Sequence, residues 1–65
     1  MITEKWLLAN GFKNVGDGLW EYIKADWIEY DLTDYSVCVN DRWLDPDYKY
    51  PEELNNLIKA LIGVL

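Results

Sequence analysis

Apolar and polar positions change period along the chain. Near the end, Leu54, Leu57, Ile58, Leu61 and Ile62 recur at the i, i+3, i+4, i+7, i+8 spacing of one helix face. Pro51 suits the first helical position, Glu52 and Glu53 suit the positive first turn, and Gly63 marks the end. Upstream the period drops to two. Leu19–Lys24 and Trp27–Leu32 are rich in aromatic and branched residues. In the second run Ile28, Tyr30 and Leu32 share one side, while Trp27, Glu29 and Asp31 share the other. Only Ala25-Asp26 separates the runs, so a tight hairpin is expected. Thr33-Asp34 reads as a turn, and Tyr35–Val39 as a third strand ending at Asn40-Asp41.

The chain opens with a short helix. Thr3 can accept from the free amides of a first turn, Glu4 suits the dipole, and good helix formers run through Asn10. Asn10-Gly11 is a stop signal, with Phe12 expected to fold back onto the last turn. Lys13–Gly18 reads as a turn cluster around Gly16-Asp17-Gly18. Arg42–Tyr50, broken by Asp45-Pro46-Asp47, is expected to cross irregularly to the last helix, pinned by Trp43, Leu44 and Tyr48. The expected fold is α+β, a single domain over 1–65: helix, three-stranded antiparallel meander, helix, with both helices on one face of the sheet.

Composition narrows the function. A chain of 65 residues buries only about 60% of its unfolded surface, so a deep cofactor cleft is not expected. With 51% apolar and 15% aromatic residues it should fold on buried rings. The single cysteine, Cys38, excludes an intrachain disulfide and a cysteine-based metal cluster. No apolar run reaches membrane-spanning length and no signal-peptide pattern opens the chain, so a cytoplasmic location is expected. There is no histidine, hence no imidazole base. Ser36 lies outside any nucleophile-elbow pattern, and Cys38 sits between Val37 and Val39, where a thiolate is disfavoured. Gly16-Asp17-Gly18 precedes a strand rather than the helix a phosphate site requires. The Asp45-Pro46-Asp47 loop lacks the ligand pattern of a calcium hand. No enzymatic activity, cofactor or metal is expected.

Charge then locates a candidate surface. Twelve acids against six bases give −6. Residues 17–53 hold eleven of those acids against Lys24, Arg42 and Lys49, a local balance of −8. Such a surface repels phosphate backbones, so direct nucleic-acid binding is not expected, and it steers basic proteins toward itself. The candidate partner-binding residues are Trp27, Glu29, Asp31, Asp34, Trp43, Asp45, Asp47 and Tyr48, carboxylates interleaved with the aromatic types that anchor interfaces. Trp27 or Trp43 is the expected exposed anchor, and reversing Glu29, Asp31 and Asp34 to Lys is expected to abolish binding while leaving the fold intact. The competing reading is an acidic surface serving solubility alone, with every ring in the core.

Two segments carry a family resemblance. Ile2-Thr3-Glu4-Lys5-Trp6-Leu7-Leu8-Ala9-Asn10-Gly11-Phe12-Lys13 is similar to the opening Thr-Glu-x-Trp-Leu-Leu-x-x-Gly-Phe of small proteins encoded by phages and prophages of Bacteroidetes-type bacteria. Glu53-Leu54-Asn55-Asn56-Leu57-x-x-Ala60-Leu61-x-Gly63 is similar to their closing Glu-Leu-Gln-Asn-Leu-x-x-Ala-Leu-x-Gly. Asn55 replaces the usual Gln, the tail after Gly63 is short, and the acidic middle follows no shared pattern. The resemblance implies a phage or prophage protein acting in the bacterial cytoplasm. By the company that group keeps, it implies an anti-CRISPR inhibitor of a type VI-B RNA-guided RNA nuclease. No functional residue is carried over from it: the matched Trp6, Leu7, Phe12, Leu54, Leu57 and Leu61 are expected to pack the two helices together. The alternative is a phage structural or accessory protein that forms a homodimer through Val64-Leu65 and any uncovered part of the Leu54–Ile62 face.

Overall fold

A computed structural model describes residues 1–63. Helix α1 spans Glu4–Ala9. The Thr3 hydroxyl accepts from the Trp6 amide at 3.1 Å, satisfying one free donor of the first turn. At the other end the Asn10 side-chain amide donates to the Trp6 carbonyl at 2.8 Å. Gly11, at φ +86°, then turns the chain out of the helix. Leu7 is its buried residue, and α1 packs beside the first strand.

Five strands follow: β1 Phe12–Asn14, β2 Leu19–Tyr22, β3 Ile28–Asp31, β4 Ser36–Val39 and β5 Arg42–Trp43. They pair antiparallel in chain order, a continuous meander. Helix α2, Pro51–Ile62, closes the described chain. Its Tyr50 amide donates to the Glu53 carboxylate at 3.3 Å, and Glu52 and Glu53 occupy its first turn as the sequence predicts. None of the described helices is long and apolar enough to cross a membrane.

The α+β class agrees with the sequence reading, but the sheet has five strands where three were expected. The Phe12 ring does lie back against α1, 6.5 Å from the Trp6 ring between centroids, but the residue also opens β1, paired with Tyr22 and in ring contact with it at 5.0 Å between centroids. Lys13 and Asn14 are likewise strand residues, and the turn starts only after them. Asn14 explains the change, because its side-chain amide donates to the carbonyls of Gly16 (2.8 Å) and Leu19 (3.1 Å) and closes the loop itself. At the far edge, Asn40 and Asp41 adopt φ +52° and +65°. Two left-handed residues in succession make a two-residue hairpin whose twist matches the strands, and Arg42 returns to pair with Val39.

The β2–β3 connection corrects the other way. Ala25-Asp26 does not form a two-residue turn; the strands stop at Tyr22 and Ile28, leaving 23–27 as a longer link. The Ala25 amide donates to the Tyr22 carbonyl (3.2 Å) and its own carbonyl accepts from Ile28 (3.0 Å), so Ala25 is buried inside the link. Neither Ala nor Asp at this site supplies the pair of left-handed residues a tight turn needs.

The core lies on one face of the sheet. Phe12, Trp20, Tyr22, Ile28, Tyr30 and Val37 form it with Ile2 and Leu7 from the start of the chain and Leu54 and Ile58 from α2. Leu57, Leu61 and Ile62 pack partly against the same cluster, so the apolar stripe of α2 is turned inward. Val64 and Leu65, the other half of the expected dimer contact, lie outside the described residues.

Candidate functional site

The opposite face of the sheet is polar. Pairing register aligns Lys13, Glu21, Glu29, Cys38 and Trp43 in one row across all five strands. Lys13 pairs with Glu21 at 3.5 Å. Glu29 lies between Glu21 and Cys38, with no opposite charge across from it on either neighbouring strand. Burial pushes the Cys38 thiol up, with Glu29 and Asp41 adding to the effect, which disfavours the thiolate. The next row holds Leu19, Asp31 and Ser36.

Beyond that row the face curves into a concavity of about 460 Å³. Four carboxylates line it: Asp31, Asp34, Asp45 and Asp47, together with the indole of Trp43. Each has a structural reason to be there. Asp31 ends β3 and accepts from the Thr33 amide (2.8 Å) and hydroxyl; Asp34 accepts from the Ser36 amide (3.1 Å) and hydroxyl. Both side chains therefore hold the β3–β4 turn in shape.

The other wall is the crossing segment, which is tied back at both ends. The Leu44 amide donates to the Val37 carbonyl at 2.8 Å, and the Tyr48 amide to the Tyr35 carbonyl at 2.7 Å. Fully buried Tyr30 reaches through the core to donate its phenol to the Tyr48 carbonyl at 2.6 Å. Asp45, Pro46 and Asp47 bow outward between these anchors and are exposed. None of the four carboxylates is ion-paired among the described residues. Lys49, the nearest base in sequence, instead lies 6.0 Å from the Tyr35 ring.

Of the eight residues singled out from sequence, Asp31, Asp34, Trp43, Asp45 and Asp47 come together here. Glu29 is on the same face but outside the concavity. Trp27 and Tyr48 do not join it. Trp27, expected on the polar side of a strand, falls in the 23–27 link and packs partly against the core, where its carbonyl accepts from Asn40 at 3.0 Å. Tyr48 also packs against the core and contributes its backbone carbonyl to Tyr30. Trp43, by contrast, is 52% exposed. Ser36 and Leu44 complete the lining and were not singled out. Ser36 was legible only through register, since it becomes a neighbour of Asp31 once the two strands are aligned.

The arrangement brings four carboxylate acceptors and an exposed indole to the lining of one concavity. Among the described residues no group of three carboxylate, thiol or imidazole side chains is placed to hold a metal ion. Compared with known proteins, the chain matches no family model, no curated protein and no solved structure.

Proposed function

We propose that this protein is a small, non-enzymatic inhibitor that docks its acidic concavity onto a basic, nucleic-acid-handling protein of a bacterial host cell. The observation that carries the reading is the convergence of four carboxylates, none ion-paired among the described residues, around an exposed indole. Unpaired carboxylates raise the association rate with a basic surface, and a large aromatic ring supplies short-range contact energy once the surfaces meet. The resemblance of the two terminal segments to phage and prophage proteins directs the choice of partner to an RNA-guided RNA nuclease of type VI-B, whose RNA-binding channel presents the required positive charge.

The test is RNA cleavage by the purified, guide-loaded nuclease with and without the protein. Cleavage is expected to fall with added protein, and a D45N/D47N variant is expected to require roughly three- to tenfold more protein for the same effect. These two carboxylates are chosen because their side chains make no hydrogen bond among the described residues, whereas Asp31 and Asp34 each brace a turn. A lysine triple at 29, 31 and 34 would therefore confound binding with folding. Full cleavage at every concentration of protein would contradict the proposal.

A further inference from the structure

Asn10-Gly11 carries a reactivity that its place in the fold holds in check. A backbone amide nitrogen can attack the side-chain carboxamide of the residue before it and close a succinimide ring. Glycine, lacking a Cβ, leaves that approach open. Asn10 is the one asparagine in the sequence followed by glycine; Asn14, Asn40, Asn55 and Asn56 precede Val15, Asp41, Asn56 and Leu57, whose side chains crowd the nitrogen. Asp17-Gly18 shares the open approach, but an ionised carboxylate resists attack.

In the folded chain the ring cannot close. Asn10 ends α1 with ψ 26°, which turns the Gly11 nitrogen nearly opposite the Asn10 Cβ, whereas closure needs the two on the same side. The carboxamide is also held, its nitrogen donating to the Trp6 carbonyl at 2.8 Å. Backbone bonds pin the pair on either side: the Asn10 amide donates to the Leu7 carbonyl at 3.2 Å, and the Gly11 carbonyl accepts from the Ile23 amide at 2.8 Å. Asn10 is nonetheless exposed to water. Helix α1 is only six residues long and depends on the Thr3 cap at its start. Short elements at a chain end open more readily than a sheet core.

We propose that Asn10 is a spontaneous modification site gated by the α1–β1 joint, closed while the joint is folded and converted to aspartate and isoaspartate when it opens. On opening, hydroxide removes the Gly11 amide proton and the nitrogen bonds to the Asn10 Cγ. The Cγ–Nδ2 bond then breaks, and ammonia leaves with a proton returned by water. Water next opens the ring at either carbonyl, the ring nitrogen recovering its proton. Opening at Cγ restores the normal backbone with an aspartate side chain; opening at the main-chain carbonyl routes the backbone through Cβ and Cγ as isoaspartate. Water enters, ammonia departs, and nothing is oxidised or reduced.

Neither product restores the joint. An ionised carboxylate cannot donate to the Trp6 carbonyl, and it places a negative charge at the negative end of α1. Isoaspartate also lengthens the backbone by a methylene between α1 and β1, which displaces Gly11 from the Ile23 amide and Phe12 from its pairing with Tyr22. The site thus turns a transient opening of α1 into a permanent weakening of the fold. The inference is independent of the docking face, since neither Asn10 nor Gly11 lines the concavity.

The experiment incubates the full-length protein in mildly alkaline buffer with and without guanidinium chloride, then maps peptides carrying asparagine, aspartate or isoaspartate at position 10. Asparagine is expected to disappear at least about tenfold faster in denaturant than in buffer, with position 10 modified ahead of the other asparagines. Thr3→Ala, which removes the cap on α1, is expected to raise the rate in buffer by about two- to tenfold and leave the rate in denaturant unchanged. Its amide spectrum reports whether the fold is intact, and the wild-type comparison stands without it. Isolated isoaspartate product, returned to buffer, is expected to melt at a lower temperature than Asn10→Asp, and Asn10→Asp at a lower one than the wild type. Equal rates with and without denaturant would overturn the gating, as would a Thr3→Ala rate in buffer equal to that of the wild type. An intact position 10 in denaturant, while other asparagines react, would overturn the site itself. Products as stable as the wild type would overturn the lasting effect on the joint.

Discussion

A methyl group added at Gly18 would sit 2.5 Å from Thr33 Cγ2, on a backbone held at φ +71°. Two independent penalties meet there, left-handed strain and overlap with the turn that Asp31 braces. Gly18→Ala is expected to cost about 1–3 kcal/mol of stability in urea denaturation. Tyr30 is the second residue on which the site depends, because its phenol fixes the crossing segment. Tyr30→Phe leaves the Tyr48 carbonyl without that donor and is expected to cost about 1–2 kcal/mol. Burial, reinforced by Tyr35, Asp34, Asp47 and Asp31, raises the Tyr30 phenol above its ordinary value. The folded protein therefore keeps this proton where the unfolded chain releases it. The resulting stability is complete below about pH 10, the unfolded tyrosine value, and is lost as pH rises toward the folded one. Urea midpoints at about pH 8 and about pH 11 should fall further for the wild type than for Tyr30→Phe. The Cys38 thiol, also raised, drifts in the same direction in both proteins and cancels in the comparison.

Among the elements, the β4–β5 hairpin sets the position of Trp43. Its turn residues Asn40 and Asp41 both adopt left-handed conformations, which glycine tolerates best at the second position. Asp41→Gly is expected to raise stability by about 0.5–1 kcal/mol, read as a higher melting temperature, without moving Trp43. This hairpin also marks what the sequence could and could not convey. The periodic helix α2 and the alternation of β3 were legible, because each buries one face of a regular element. The edge strands β1 and β5 were not, since three and two residues are too few to establish alternation. Their existence depends on side-chain and backbone turn chemistry, Asn14 in one case and Asn40-Asp41 in the other. Trp27 was misplaced for the same reason in reverse: a two-residue turn was assumed where Ala25-Asp26 does not make one. The acids at 31, 34, 45 and 47 were visible as a charge excess. Only the return of the crossing segment along the β3–β4 turn brings them to one place.

At the scale of the molecule, one sheet face is closed by a core to which both helices contribute, and the other carries carboxylates and one large exposed ring. Division of labour between the two faces is what allows a chain of 65 residues to fold and still present a charged surface. Association through that surface should slow as ionic strength rises, because the Debye length contracts to about 8 Å at physiological salt. Dissociation should change much less. Hydrogen exchange of the protein alone and in complex with the guide-loaded type VI-B nuclease tests the docking face most directly. Added protection is expected in 31–36 and 42–48, with the amides of α1 and of the 23–27 link unchanged. Protection confined to α1 or to the 23–27 link, with the concavity exchanging as freely as before, would contradict it.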